Sequence, residues 1–383
     1  MNRFLMFTPE EGLVPDSVRR AMALDISVLS LDDRQAVMNR IQSGLRDLLG
    51  TKERVLVLPE RLAGVMRIAL GALFAPGEKV LVVEAGEQGL QYSNAAQAQG
   101  LEVVALPITW GEAVKPKEVE NALARWPEIN AVLVQAVDLS TTAMHPVQDI
   151  ARLCRQSGKM AVIDATGLLG SAPVLMDRWG LDCVLCASGP GTLLPSGMSF
   201  LALSWQAHEK SLERGGIIAW TDDIEEGTDF FEKAFRGPPV NMLLGLDESL
   251  RLLLEDQEKN HLRHKALAAM VRNGISRMGL ELLVRSNHAL SASAVMLPPG
   301  IDQHRLLQTA RDDYQVIMAG GQGRLSGRLV RIGHAGSIRW QEVLAGLLAL
   351  RESYLRCGGI SGSRDYLEKA WEAYSRTMNS VYD

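Results

Sequence analysis

The chain predicts an α/β fold: a large domain built on a mostly parallel sheet, followed by a smaller α+β domain. Three observations carry this. Short Val/Ile/Leu-rich runs alternate with helical patterns from about residue 54 to 204, the order that sandwiches a parallel sheet between helices. Those runs are nearly continuous in apolar residues rather than alternating, as strands covered on both faces must be. From about residue 238 the texture changes to long helical stretches, then short strands mixed with helices.

The elements follow in order. Arg54–Pro59 reads as a strand, and Leu62, Val65, Met66, Ala69, Leu70 and Leu73 then recur at helical spacing. Gly77-Glu-Lys opens a strand at Val80–Glu84, and a helix over about 87–99 stops at Gly100, whose left-handed tolerance suits a C-terminal cap. Glu102–Leu106, Ala131–Gln135, Met160–Asp164 and Cys183–Ser188 continue the strand series, with one more at Phe200–Ser204. Pro238-Pro239 starts a long helix, and a more charged one covers about 258–278. Strands follow at Leu280–Val284 and Ser293–Leu297, a helix near 302–312, strands at Gln315–Met318 and Leu329–Gly333, and a helix over about 340–355.

This organisation divides the chain into a large domain over 15–250, a small domain from 1–14 and 251–356, and a tail over 357–383. The tail begins with the linker Cys357-Gly-Gly-Ile-Ser-Gly-Ser363, after which Tyr366, Leu367, Ala370, Trp371, Tyr374 and Met378 form one stripe of an amphipathic helix. Docking of that stripe on its own subunit is the simpler expectation, and a partner surface the alternative.

Bulk properties exclude several classes. The 383 residues are 47% hydrophobic and 22% charged with a net charge of −5, which gives no reason to expect nucleic acid or an anionic membrane as partner. No apolar run approaches the ~20 residues that span a bilayer. The opening Met1-Asn-Arg-Phe-Leu-Met-Phe-Thr-Pro-Glu-Glu turns acidic too early for a signal peptide. Four cysteines do not make a disulfide scaffold at this length, so a cytoplasmic location is expected.

The motifs that bear chemistry lie in three places. Met160-Ala-Val-Ile-Asp164 ends a strand in an aspartate, and the next strand runs into Ala187-Ser188-Gly189-Pro190. Near the end of the small domain, Val316-Ile-Met318 leads to Gly320-Gly-Gln-Gly323 and then Arg331-Ile-Gly333. With these residues, and over about 50–350, the chain resembles the alanine–glyoxylate and serine–pyruvate branch of the class V aminotransferases, which use pyridoxal phosphate (PLP). The resemblance implies the PLP-dependent transferase fold of type I, with a large domain holding a seven-stranded type of sheet. It also implies a dimer with sites at the subunit interface. Asp164 would pair with the ring nitrogen of PLP, and Arg331 would grip a substrate carboxylate, for which a planar guanidinium is well matched. Read without the resemblance, Asp164 equally suits a helix N-cap, and Arg331 a strand-end arginine paired to an acid.

The sequence departs from that family where the cofactor is held. The family's Gly-Ser-Gln-Lys supplies the Schiff-base lysine, whereas this chain has Pro190 there and no lysine between Lys159 and Lys210. Proline offers neither nucleophile nor N–H donor. The Gly/Ser-rich phosphate turn is replaced by Glu60-Arg61-Leu62-Ala63-Gly64, and the ring-stacking aromatic by Gln88. Phe235-Arg-Gly-Pro-Pro239 lacks the Tyr and Thr that reach a neighbouring subunit's phosphate, and no Gly-Pro turn follows Thr8-Pro9. Asp164, Ser140, Thr141 and Ser188 are left as vestigial cofactor contacts. The expectation is that no cofactor is bound, with PLP or pyridoxamine phosphate held noncovalently as the alternative.

Weaker signals complete the reading. Cys183-Val-Leu-Cys186 is a C-x-x-C, but residues three apart on a strand face opposite ways, so a buried core pair is expected. His261-Leu-Arg-His264 shares a helix face without a completing ligand cluster and reads as a solvated helix. Gly320, Gly321 and Gly323 do not make a dinucleotide motif. Ser188-Gly-Pro-Gly-Thr192 could be an anion nest or a tight turn filling the lysine's space.

The functional expectation is an aminotransferase-like protein without Schiff-base chemistry, acting as a structural or regulatory subunit or the partner of an active relative. It would be a homodimer or would pair with another aminotransferase-like chain. One alternative is a sensor of a small carboxylate or amino acid through Arg331. The other is a class V aminotransferase, or a lysine-independent pyridoxamine phosphate enzyme with His145 or His334 as base.

Overall fold

A computed structural model describes residues 4–213, 239–360 and 362–380. After β1 (Leu5–Phe7) come α1 (Asp16–Met22) and α2 (Leu31–Leu49), then β2 (Val55–Leu58), α3 (Leu62–Leu73), β3 (Lys79–Glu84), α4 (Glu87–Ala98), β4 (Glu102–Pro107), α5 (Pro116–Arg125) and β5 (Ile129–Gln135). A small hairpin, β6 (Val137–Asp138) and β7 (Ala143–Met144), precedes α6 (Val147–Gln156), β8 (Met160–Asp164), α7 (Met176–Trp179), β9 (Cys183–Ala187), β10 (Ser199–Leu203) and α8 (Trp205–Leu212). The remainder comprises α9 (Val240–Leu254), α10 (Gln257–Arg277), β11 (Glu281–Leu282), β12 (Ala292–Met296), α11 (Gln303–Tyr314), β13 (Val316–Gly320), β14 (Leu329–Gly333), α12 (Trp340–Arg356) and α13 (Tyr366–Asn379).

Seven strands form one sheet in the order β2-β10-β9-β8-β5-β3-β4. Every pairing is parallel except those of β10, which runs antiparallel to both β2 and β9. The apolar strands are covered on both faces. Leu81, Val132, Val134, Ile163, Val184 and Phe200 enter one core, while Val82, Leu133, Val162, Leu185 and Leu201 enter the other with α3 and α4. Cys186 belongs to the first face and Cys183 to the second, as the period of two requires. Both are buried free thiols.

The order changes direction at β3. From β3 the chain goes outward to β4, then returns past β3 to β5, β8 and β9. Loops that leave adjacent strands in opposite directions open a crevice at the C-terminal edge, where α/β sheets take ligands. The loops after β3 and β5 meet there: Gln88 Oε1 accepts from Leu139 N at 2.7 Å, and Ser140 Oγ accepts from Glu87 N at 2.9 Å.

A five-stranded sheet, β1-β13-β14-β12-β11, carries a third core with α10, α11 and α12. Its first strand comes from the N-terminus, with Leu5 opposite Val316 and Phe7 opposite Met318. The expected strand at Leu280–Val284 shortens to two residues, Glu281 and Leu282. α13 packs along α10 and α12 of its own chain. Tyr366 and Ala370 are buried, and Trp371 stacks on Tyr374 and packs at a tilt against Trp340, with ring centroids 5.5 and 4.6 Å apart, while staying 40% exposed.

Six of the described helices do not figure in the strand-led reading: α1, α2, α5, α6, α7 and α8. α2 is closed by a reciprocal cap, in which Ser30 Oγ accepts from Asp33 N and Asp33 accepts from Ser30 N, and ends at Gly50 in the left-handed region. The solvated-helix reading of His261 and His264 also needs correction. His264 is fully buried: Nε2 accepts from Gly336 N at 3.1 Å, so Nδ1 carries the proton toward Asn260 O at 2.8 Å. It ties α10 to the loop after β14.

Candidate cofactor and substrate site

Asp164 ends β8 and is 1% exposed. Its Oδ1 accepts from Thr166 N at 2.8 Å, and its Oδ2 has no hydrogen-bond partner among the described residues. Burial pushes its pKa up to about 6. In register beside it on β5 stands Gln135, fully buried with neither amide atom paired. By strand alternation both side chains share the face of Val162 and Leu133, the face covered by α4. From α4, the Tyr92 hydroxyl comes close enough to the carboxylate to pull its pKa down against the effect of burial, although it falls outside full hydrogen-bonding geometry. Three neighbouring buried polar groups thus keep unused capacity, which is uncommon in a folded interior.

The loop after β5 is organised by Asp138, a fully buried carboxylate that the sequence reading does not single out. Its Oδ1 accepts from Ser140 N at 2.9 Å, Thr141 N at 3.2 Å and the Ser140 hydroxyl. Burial raises its pKa, against the opposing pull of these donors. Ser140 and Thr141 are both buried, and their hydroxyls serve the loop and the start of α4. An acid two residues before a Ser-Thr pair is the local signal for such a turn.

The turn after β9 closes on itself. Ser188 Oγ donates to Pro195 O at 2.8 Å and accepts from Met198 N, while Thr192 Oγ1 donates to Gly189 O and accepts from Gly189 N. Pro190 begins a single 3-10 turn, Pro190–Thr192. Gly12 packs on the Pro190 ring, where a side-chain methyl would sit only 3.0 Å away, and Gly336 packs on its carbonyl. The tight-turn reading therefore holds over the open anion nest.

Arg331, on β14, is 3% exposed. Nε donates to Gly320 O at 2.8 Å and Nη1 to Leu139 O at 3.0 Å, and Nη1 also pairs with the Glu10 carboxylate. Gln322 Nε2 donates to the same Glu10 oxygen at 3.3 Å. The strap from Thr8 to Val14 thus crosses Pro190 and places an internal carboxylate on Arg331. The strand-end acid–arginine pairing is realised, with a partner more than three hundred residues away in sequence.

At the start of α3, the Glu60 side chain folds back over Gly64 so closely that a methyl group on Gly64 would collide with its carboxylate. No side chain caps this helix. Ser199 Oγ on β10 donates to Glu60 O at 2.7 Å, fixing the turn to the sheet edge.

The two candidate bases are sealed. His145 Nδ1 accepts from Val114 N at 3.1 Å, and burial pulls its pKa down to about 4. His334 Nε2 lies 3.0 Å from Ser293 Oγ, with its pKa lowered to about 3 by burial and the nearby Arg272. Phe235–Pro238 lies outside the described residues. Among those described, no His/Cys/Asp/Glu cluster could hold a metal, and no helix is long and apolar enough to cross a membrane.

A large parallel sheet with its ligand crevice beside a buried aspartate, joined to a smaller sheet carrying an arginine, defines the PLP-dependent transferase fold of type I. Residues 35–340 match the family model for aminotransferase class V, and the chain belongs to that family. It is 26% identical over 388 residues to serine–glyoxylate aminotransferase of Methylorubrum extorquens, covering 95% of this chain and 96% of that one. It is 28% identical over 313 residues to pyridoxamine–pyruvate transaminase of Mesorhizobium japonicum, covering 79% and 78%. The crystal structure of ureidoglycine–glyoxylate aminotransferase from Bacillus subtilis superposes with a TM-score of 0.90 at 24% identity, over 98% and 99% of the two chains.

Membership overturns the expectation that no cofactor is bound. Class V aminotransferases, including the relatives so named, are vitamin B6 enzymes, so a B6 cofactor is expected here. The lysine and the phosphate turn are lost, but the buried Asp164 with its free oxygen remains to take a cationic partner.

Proposed function

We propose that this protein binds a vitamin B6 compound noncovalently at the C-terminal edge of the seven-stranded sheet. The observation that carries the reading is Asp164: a buried carboxylate with one unpaired oxygen, whose ionisation is costly without a cation beside it. A protonated ring nitrogen supplies that cation and hydrogen bond. The fit is to the ring and not to covalent attachment, since Pro190 stands in the turn after β9 and no lysine occurs between Lys159 and Lys210. When bound, the group supplies an electron-withdrawing ring whose pull is greatest with its nitrogen protonated; Asp164 holds that proton. Ser140, Thr141 and Ser188 shape the loops around the crevice, their hydroxyls being used within the protein.

On this reading the chain is a non-catalytic, B6-binding member of its family, working as a dimer of two copies or with an aminotransferase-like partner. Support comes from the absent lysine and from the burial of both histidine candidates. Arg331 is the substrate-carboxylate candidate, but Glu10 already occupies it, so a resting carboxylate sensor has less support.

Calorimetric titration with PLP and pyridoxamine phosphate, and with unphosphorylated pyridoxal and pyridoxamine, tests the proposal. Binding should occur for at least one, weaken at least tenfold in Asp164→Ala, and leave no protein adduct after borohydride. Absence of all binding, or a borohydride-trapped lysine, would refute it.

A further inference from the structure

Arg331 is the group a ligand carboxylate would seek on the small-domain side of the crevice, and its donors are largely spent within the chain. A guanidinium has five N–H groups and grips a carboxylate by two parallel ones, from Nε and Nη2 or from Nη1 and Nη2. The Nε hydrogen goes to Gly320 O, and Nη1 divides its two between Leu139 O and the Glu10 carboxylate. Among the described residues only Nη2 is left without an acceptor. Each two-pronged edge is therefore broken at one end.

Glu10 is held in this position from both sides. Thr8 Oγ1 accepts from Glu11 N at 3.1 Å and donates to Glu11 O at 2.8 Å, closing a turn around Glu10. The Thr8 carbonyl lies so close over β14 that a methyl group on Gly333 would collide with it. Further along the strap, Ser337 Oγ donates to Leu13 O at 2.7 Å, and Gly12 packs on the Pro190 ring. The Glu10 side chain is 43% exposed, and Arg331 and Gln322 both engage its Oε1. Its Oε2 has no partner among the described residues and can accept from a ligand.

We infer that Glu10 is a specificity-determining residue, which masks Arg331 against ligands bearing a carboxylate and favours amines that lack one. The inference concerns the small-domain side of the crevice and stands apart from the B6 reading, since Asp164 has no part in it. An amino acid or keto acid that reaches Arg331 must push Glu10 aside. Two carboxylates then contend for one guanidinium, a repulsive element aimed at that class of ligand. An amine without the acid displaces nothing and donates to Glu10 Oε2.

The test is calorimetric titration of the full chain with two matched pairs, ornithine and putrescine, and phenylalanine and phenethylamine. In each pair the amine differs from the amino acid only by loss of the carboxylate. Wild type should bind at least one amine about fivefold more tightly than the matching amino acid, the scale of one partly exposed ion pair. Glu10→Ala leaves the strap its anchors at Thr8 and Leu13, and there the order should reverse. Glu10→Gln keeps an acceptor without the charge and should fall between the two. Wild type that binds neither amine, or that binds amine and amino acid equally, would overturn the inference, as would a preference unchanged in Glu10→Ala. Either failure leaves B6 binding at Asp164 standing, since that is read in a separate titration.

Discussion

Replacing Asp164 by asparagine should stabilise the ligand-free protein at alkaline pH while weakening its grip on a ring cation. The carboxyl has a pKa of about 6 in the folded chain against an ordinary 3.8, with burial as the main cause. A gap of roughly two units at about 1.4 kcal/mol each is worth about 3 kcal/mol. Because the folded value is raised, the stability tied to the neutral acid is fully present below pH 4 and lost as pH rises through 6. Asparagine keeps the oxygen that accepts from Thr166 N and removes the charge. About 1 kcal/mol of this stability is already lost at pH 4.5, so the variant should gain about 2 kcal/mol over wild type on going from pH 4.5 to pH 8. Buried histidines work in the opposite sense. His145, His264 and His334 have pKa values lowered from 6.5 to about 4, 3 and 3, so their contribution is present above 6.5 and lost as pH falls. They are common to both proteins and cancel in the difference. Urea denaturation of wild type and Asp164→Asn at both pH values, without ligand, measures it. A variant destabilised equally at pH 4.5 and 8 would refute the claim that Asp164 is an uncompensated buried carboxylate.

Other outcomes follow from the same geometry. Glu10→Gln removes the ion pair to Arg331 but leaves its two carbonyl acceptors, so the loss should be about 1 kcal/mol given the partly exposed acid. A keto acid such as pyruvate should then raise the melting temperature of the variant more than that of wild type. Gly170 has a φ of 73° and faces the Gly191 carbonyl, so Gly170→Ala should cost at least ~2 kcal/mol by chemical denaturation. Among the four cysteines only Cys357 is not buried, so a thiol reagent should modify it first, with the other three reacting on unfolding. Tyr366→Ala at the buried start of α13 should lower stability by about 3 kcal/mol, read by urea denaturation.

Much of the fold is legible in the sequence. Parallel strands announce themselves because both faces are buried, and the opposed burial of Cys183 and Cys186 follows from the period of two. Other features depend on contacts between distant segments, which periodicity does not encode. Glu10 meets Arg331 only because β1 joins β13, and nothing around Glu10 marks it as a ligand. The bulky turn at Glu60 was visible as an oddity, but its fold over Gly64 depends on side-chain direction. Ser140, Thr141 and Ser188 were readable as polar residues beside the crevice. That their hydroxyls are consumed by Asp138, Glu87 and Pro195 is a matter of three-dimensional accounting. His264 misled because its helix is charged overall, and one buried position does not alter that average.

The placement of β1 has a consequence for biosynthesis. Leu5 must wait for Val316, roughly 310 residues downstream, before its strand has a partner. At synthesis rates of about 5–20 residues per second, that wait is on the order of 15–60 s. During it the leading strand has no edge to join, while the seven-stranded sheet, complete by Leu203, can assemble without it. The strap that bridges the two sheets is therefore a latecomer to folding: it is made some three hundred residues before the strand its neighbour β1 joins, and the crevice stays uncovered by it until that strand has been synthesised.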